Sequence, residues 1–329
     1  MPTKLPRRRD LLKYGLALGA TAALPRTALA YPDRPIRLIV PFSPGGATDV
    51  AARLWAERMK GPLGTVVVEN KGGGGGLIGA TEVVRSTPDG HTLLFGNTST
   101  QVLIPAIAEK PPYDPVKDFQ AVYLMCNSPT SIVIHESVPA KTLMEFIAYA
   151  KANPTKLSYG TAGTGTLTHL AGELFKQLIG APGITHIPYK GAAPGVADLA
   201  SGHIPMMTPN VGGPLLQFHA TGRIRILAVN AERRLAAAPD IPTAIEAGLP
   251  GMVAGNFNGL FAPAGVPKPI IERLAQLTKA AVAENDVQQA LLKSGFEPIS
   301  DSGPEAGQQV VVSELKRWTP VIKATNFKQ

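Results

Sequence analysis

The chain has 329 residues, 32 of them Lys or Arg and 24 Asp or Glu, for a formal net charge of +8. That length is enough for two ordinary domains or lobes, and the single cysteine, Cys126, excludes an internal disulfide. Six basic side chains and one acid fall in the first thirty residues, so residues 31–329 keep 26 and 23, a net of +3. No cluster of Lys/Arg with aromatics occurs past residue 31, which excludes a nucleic-acid partner. The residual positive balance is compatible with an anionic ligand.

Residues 1–30 read as a cleavable export signal. Lys4, Arg7, Arg8, Arg9 and Lys13 give a basic start, residues 14–24 are apolar, and Ala28-Leu29-Ala30 supplies the small-x-small site. The apolar run is too short to cross a bilayer, which needs about 20 residues. Arg8-Arg9-Asp10-Leu11-Leu12-Lys13 looks like a twin-arginine signal, with Leu11 where Phe is usual and Arg7 where Ser or Thr is usual. A general secretory signal with a basic start is the alternative. Either route predicts a periplasmic protein cleaved after about Ala30, and no later stretch is apolar enough to span a membrane.

Past the signal, strand-like and helix-like runs alternate, the pattern of an α/β protein with mainly parallel sheets. Strands are expected over 36–42, 65–69 and 92–95, with helices over 49–60 and 78–85. Residues 105–119, rich in Pro and charge, read as a loop. A second block opens with a strand over 131–135. A helix over 142–152 follows, in which Thr142 and Glu145 form a capping box. Next come a strand over 157–159, a helix over 167–180 that ends at its glycine, and strands over 184–188, 204–207 and 225–229. Long helical patterns over 267–285 and 303–322 close the chain. Cys126, in an apolar context, is expected to be a small buried residue.

Two distant places resemble one another. In the first block a strand runs into Phe42-Ser43-Pro44-Gly45-Gly46-Ala47-Thr48-Asp49 and then a helix. In the second a strand runs into Gly160-Thr161-Ala162-Gly163-Thr164-Gly165-Thr166-Leu167-Thr168-His169 and a helix. Glycine lets backbone N–H groups point outward. The helix start adds partial positive charge and first-turn N–H groups without internal partners. Each loop is a candidate anion cradle, and two of them across a cleft would clamp a carboxylate. The competing reading is two ordinary βα turns, where Gly, Ser and Thr are common. The candidate ligand set is Phe42, Ser43, Gly45, Gly46, Ala47, Asp49, Thr98, Ser99, Thr161, Gly163, Thr164, Thr166, His169 and Asn210. Asp49 either caps its helix or reaches an amine or hydroxyl. His169 either donates to a ligand or caps its own loop.

Other chemistries find no support. Gly74-Gly75-Gly76-Leu77-Ile78-Gly79 matches the dinucleotide fingerprint literally, but no acid ends a strand about 20 residues on. Close packing of this glycine run on a ligand or on the neighbouring loop is expected instead. The histidines show no metal spacing, and no Gly-x-Ser-x-Gly elbow signals a serine hydrolase. No cofactor, metal or catalytic residue is expected.

Tyr31-Pro32-Asp33-Arg34-Pro35-Ile36 followed by Ile39-Val40-Pro41-Phe42-Ser43-Pro44-Gly45-Gly46 and Asp49 resembles the start of the Bug family. These are the extracytoplasmic solute receptors of tripartite tricarboxylate transporters. The similarity continues through Val67-Val68-Glu69-Asn70, Pro88-Asp89-Gly90, Tyr113-Asp114-Pro115, Lys117-Asp118-Phe119, Gly163-Thr164-Gly165-Thr166 with His169-Leu170, and His186-Ile187-Pro188-Tyr189-Lys190-Gly191. It extends to Leu227-Ala228-Val229 and Glu246-Ala247-Gly248-Leu249-Pro250-Gly251. The resemblance implies a type II Venus-flytrap periplasmic binding protein whose chain crosses twice between two α/β lobes. It also implies carboxylate ligands held by the two loops. The chain departs from the family at Thr208-Pro209-Asn210, Gly212-Gly213-Pro214 and Phe257-Asn258-Gly259, expected near the ligand's side groups.

The resulting expectation is a monomeric periplasmic binder of a small carboxylate, working with membrane transporter subunits. Presentation of the ligand to a sensor is the alternative partner, and an exported enzyme using Asp49 or His169 as a base is the rival of another class. Residues 31–130 and 255–329 are expected to form one lobe and 131–254 the other, with the cleft between them.

Overall fold

The computed structural model describes residues 31–324; the expected export signal, 1–30, lies outside the described residues. The first lobe is built on a six-stranded sheet. Its strands are β1 (Ile36–Val40), β2 (Val66–Asn70), β3 (Thr92–Asn97), β4 (Phe119–Pro129), β10 (Gly255–Pro263) and β11 (Glu297–Pro298), in the order β11-β4-β10-β3-β1-β2. The second sheet has five strands, β5 (Ser131–His135), β6 (Ser158–Thr161), β7 (Thr185–Pro188), β8 (Met206–Met207) and β9 (Ile224–Val229), in the order β7-β6-β8-β5-β9.

β1 shows why the first sheet forms where it does. Ile36, Leu38, Ile39 and Val40 are all fully buried, the signature of a strand covered on both faces. One cover is α1 (Ala47–Leu63), whose Ala51, Ala52, Trp55, Ala56 and Met59 face inward at helical spacing. Trp55 is anchored by donating from Nε1 to Thr278 Oγ1 at 2.9 Å, on α8 (Lys268–Ala283). The remaining helices beside the first sheet are α2 (Leu77–Val84), the short α3 (Ile104–Ile107), α9 (Asn285–Lys293) and α10 (Pro304–Ala324). The second sheet is flanked by α4 (Leu143–Ala152), α5 (Leu167–Ile179), α6 (Ala192–Ala200) and α7 (Gly213–Ala220). Thr142 caps α4 by accepting from Glu145 N at 3.2 Å. The Glu145 carboxylate accepts instead from Lys141 N, one residue upstream of the expected capping box. Gly180 ends α5 with φ 67°.

The expectation of mainly parallel sheets is corrected. β1–β2, β1–β3, β6–β7 and β6–β8 are parallel, but β10 pairs antiparallel with β3 and β4, β11 with β4, and β5 with β8 and β9. The cause is the chain path. β4 passes through Thr130 directly into β5 of the other sheet, and β10 returns from it. Strands that leave or enter a sheet this way run against those wound by βα units. The two crossings are bonded to one another: Thr130 N donates to Ala254 O, Asn230 N to Thr130 O, and Ala254 N to Asn230 O, all within 2.8–3.0 Å. The loop expected over 105–119 contains the end of α3 and the start of β4. Cys126 is fully buried and free. Among the described residues no helix is long and apolar enough to cross a membrane.

Candidate ligand-binding site

The first loop joins β1 to α1. Its Ser43 N donates to Lys190 O of the second lobe at 3.1 Å, and Gly191 sits so close that a side chain there would strike Ser43 Oγ at 2.2 Å. α1 begins after Gly46 with no side-chain cap. The N–H groups of its first turn have no partner within the helix. Asp49 does not supply the cap from inside that turn. One carboxylate oxygen accepts from Gly45 N and from Arg53 Nε, both at 2.9 Å, and the other from Asn70 Nδ2 at 2.8 Å. Asp49 is therefore a brace of its own loop, 2% exposed. Behind it Asn97 Nδ2 donates to Thr48 Oγ1, and Thr48 donates to Asn258 Oδ1, each at 3.0 Å.

The second loop, between β6 and α5, engages several of its own N–H groups. Thr166 caps α5 by accepting from His169 N and donates its own proton to Gly163 O at 2.7 Å. Ala162 N donates to Thr168 Oγ1, Gly163 N to Thr161 Oγ1 and Gly165 N to His169 Nδ1. Leu167 N reaches across to Ser99 Oγ of the first lobe at 3.0 Å. Behind the loop the His169 ring stacks on His186 with centroids 3.8 Å apart and planes 10° from parallel. Burial lowers His169 to about 3, with the adjacent His186 adding to the shift. Burial likewise lowers His186 to about 4. Both rings are thus neutral at ordinary pH, and His186 meets Thr161 Oγ1 at 2.7 Å.

The glycine run packs on this second loop. At Gly75, with φ 66°, a side chain would stand 2.5 Å from Thr164 O, so only glycine permits the approach.

Between the loops lies a small cavity of about 20 Å³. The first lobe contributes Phe42, Gly46, Ala47, Thr48, Asn97 and Ser99, and the second Ala162, Thr166, Thr168, Ala192 and Asn210. Of the fourteen sequence candidates, Phe42, Gly46, Ala47, Ser99, Thr166 and Asn210 face it. Gly45 lies on an adjoining chamber. Ser43 is half-buried, and Thr98 is buried, its Oγ1 accepting from Phe257 N and its N donating to Asn256 Oδ1. Asp49, Thr161 and His169 hold the loops from behind, and Gly163 and Thr164 lie on the outer seam with Gly73–Gly75 and Lys190. Thr48, Asn97, Ala162, Thr168 and Ala192 were missed. Thr48 and Thr168 are in the quoted loops, and their spacing from the helix starts was the available signal. Phe257, expected near ligand side groups, lines a different groove beside the crossings, with Asn230 and Arg233.

The profile of the tripartite tricarboxylate transporter family receptor matches residues 51–327. The chain belongs to this family. BugT of Bordetella pertussis is 34% identical over 315 residues, covering 94% of each chain. Among solved structures, MatC from Rhodopseudomonas palustris, with bound malate, is 33% identical with a TM-score of 0.84, covering 89% of this chain and 100% of that one. Rpa4515 from the same organism, with adipate, is 33% identical with a TM-score of 0.86, covering 91% and 99%. The two-lobed periplasmic-binding-protein architecture of this receptor is that of its relatives.

Proposed function

We propose that this receptor is exported and captures a small organic carboxylate for a membrane transporter, leaving the ligand chemically unchanged. One observation carries the reading: the uncapped start of α1 opens onto a cavity shared by both lobes. A helix start presents N–H groups and partial positive charge suited to an anion. A cavity of about 20 Å³ has room for roughly one or two water-sized groups, the scale of a carboxylate's two oxygens. The malate and adipate of the related structures support the same class of ligand.

In this reading the lobes are 31–130 with 255–329, and 131–254. Support comes from the sheet membership of the strands and from the anchoring of α8 on α1. Ligand binding draws the lobes together, because donors on the first loop and the wall formed by the second meet only in the closed arrangement.

The test is a carboxylate panel on the chain beginning at Tyr31, read by thermal shift and calorimetry. A ligand at 100 times its Kd adds about 2.7 kcal/mol of stability. One molecule bound per chain and recovered intact is the expected result. A panel in which no carboxylate stabilises the protein, or in which the bound acid is converted, overturns the reading. Small-angle scattering should show a smaller radius of gyration with ligand. Mass spectrometry of the exported protein should find its N-terminus at about residue 31.

A further inference from the structure

The small cavity continues into a larger chamber of about 180 Å³. Gly46, Ala47, Ala192 and Asn210 line both spaces, so the two are one continuous site. The chamber's walls are Gly45 on the first lobe, Ala193 and Val196 of α6, Gly212, and Pro214, Leu215 and Phe218 of α7. Asn210 is the one polar side chain among them, and its Nδ2 is engaged with Ser128 O at 3.1 Å. Among the described residues no Lys, Arg or His lines the chamber. Arg223 lies against the Phe218 ring, 5.2 Å from its centroid, and directs a nitrogen to Ala200 O rather than into the space.

Resting on the carboxylate reading above, we infer that the ligand is a monocarboxylate whose other end is an apolar ring or branched chain of about six carbons. An apolar cavity of about 150 Å³ holds a benzene ring, so this chamber accommodates one. A second carboxylate there would lose its hydration without a cation to replace it, which is costly. Malate and adipate, the ligands of the related structures, each carry that second charge. Asn210, Gly212 and Pro214, in segments where the sequence led us to expect departures from the family, line this chamber.

Calorimetry with phenylacetate, 4-methylpentanoate, adipate, malate and the neutral phenylacetamide tests this. The two apolar acids should bind at least tenfold more tightly than either diacid, and the amide should bind at least tenfold more weakly than phenylacetate. Ala193 is half-buried on the chamber wall, so Ala193→Lys can add a cation without emptying the core. It should weaken phenylacetate and strengthen adipate. Adipate or malate binding as tightly as the apolar acids overturns the inference while leaving the carboxylate reading intact. An amide as tight as phenylacetate, or no acid bound at all, overturns that reading and the inference with it.

Discussion

The two glycine-rich loops are alike in sequence and differ in what they leave unsatisfied. In the second, hydroxyls and a ring nitrogen occupy three of the N–H groups: Thr166 takes His169 N, Thr168 takes Ala162 N, and His169 takes Gly165 N. In the first, Asp49 is turned back onto Gly45, Arg53 and Asn70, and α1 has no side-chain cap. A helix start rich in Ser and Thr tends to satisfy itself, whereas one made of Gly-Gly-Ala leaves its donors for something else. On this difference we propose the first loop as the binder and the second as a shaped wall that meets it.

The strongest way to break this contrast is Gly46→Val. Gly46 has φ −76° and its nearest would-be neighbours stand 3.8 Å or more away, so the backbone accepts a side chain, which then stands over the start of α1. Carboxylate affinity should fall at least about a hundredfold, equivalent to about 2.7 kcal/mol, with the fold retained by circular dichroism. Retained affinity would remove α1 from the site.

The next effect belongs to the stacked histidines behind the second loop. Both have folded values below the usual 6.5, about 3 for His169 and about 4 for His186, so the unfolded chain takes up protons that the folded one refuses. Their contribution is fully present above about pH 6.5 and is lost as the pH falls toward 4. Urea unfolding at pH 7 and 4.5 should differ on the order of 5 kcal/mol for the pair, and His186→Gln should flatten the slope. An unchanged slope would show that the pair does not titrate as described.

Thr166→Ala comes third. It removes a helix cap, so stability should drop by about 1 kcal/mol while affinity changes less than about threefold, within roughly 0.7 kcal/mol. A tenfold affinity loss would restore the second loop as a direct binder. The smallest effect is expected from Thr164→Ala, on the outer seam, with neither stability nor affinity altered measurably; calorimetry on the same panel decides.

The βα units of both lobes were readable because each is a run of apolar residues followed by glycine and a helical period. The strand over 131–135 and the helix starting at Leu167 fall where periodicity and capping put them. β10 was not readable, since Asn256, Asn258 and Gly259 are poor strand formers. It forms because those amides are consumed inside the protein, Asn256 Oδ1 by Thr98 N and Asn258 Oδ1 by Thr48. α6 and α7 were hidden for another reason. Each is short and carries Pro and Gly, and the chamber they enclose depends on tertiary placement that no local pattern expresses. The first loop was legible as a glycine-rich turn between a strand and a helix, but the inward turn of Asp49 depends on Arg53 and on Asn70, a residue from a different strand.

The paired crossings have a mechanical consequence. Three main-chain bonds link Thr130, Asn230 and Ala254, and the Asn230 side chain adds a fourth by donating to Thr130 Oγ1 at 2.8 Å. Two separate tethers would let one half of the molecule swing, slide or twist freely against the other. Strands riveted to each other at their midpoints act as a single ribbon, stiff to shear and soft mainly to bending. The halves then share one rotational degree of freedom, and a displacement at the mouth is transmitted as an angle rather than dissipated as looseness.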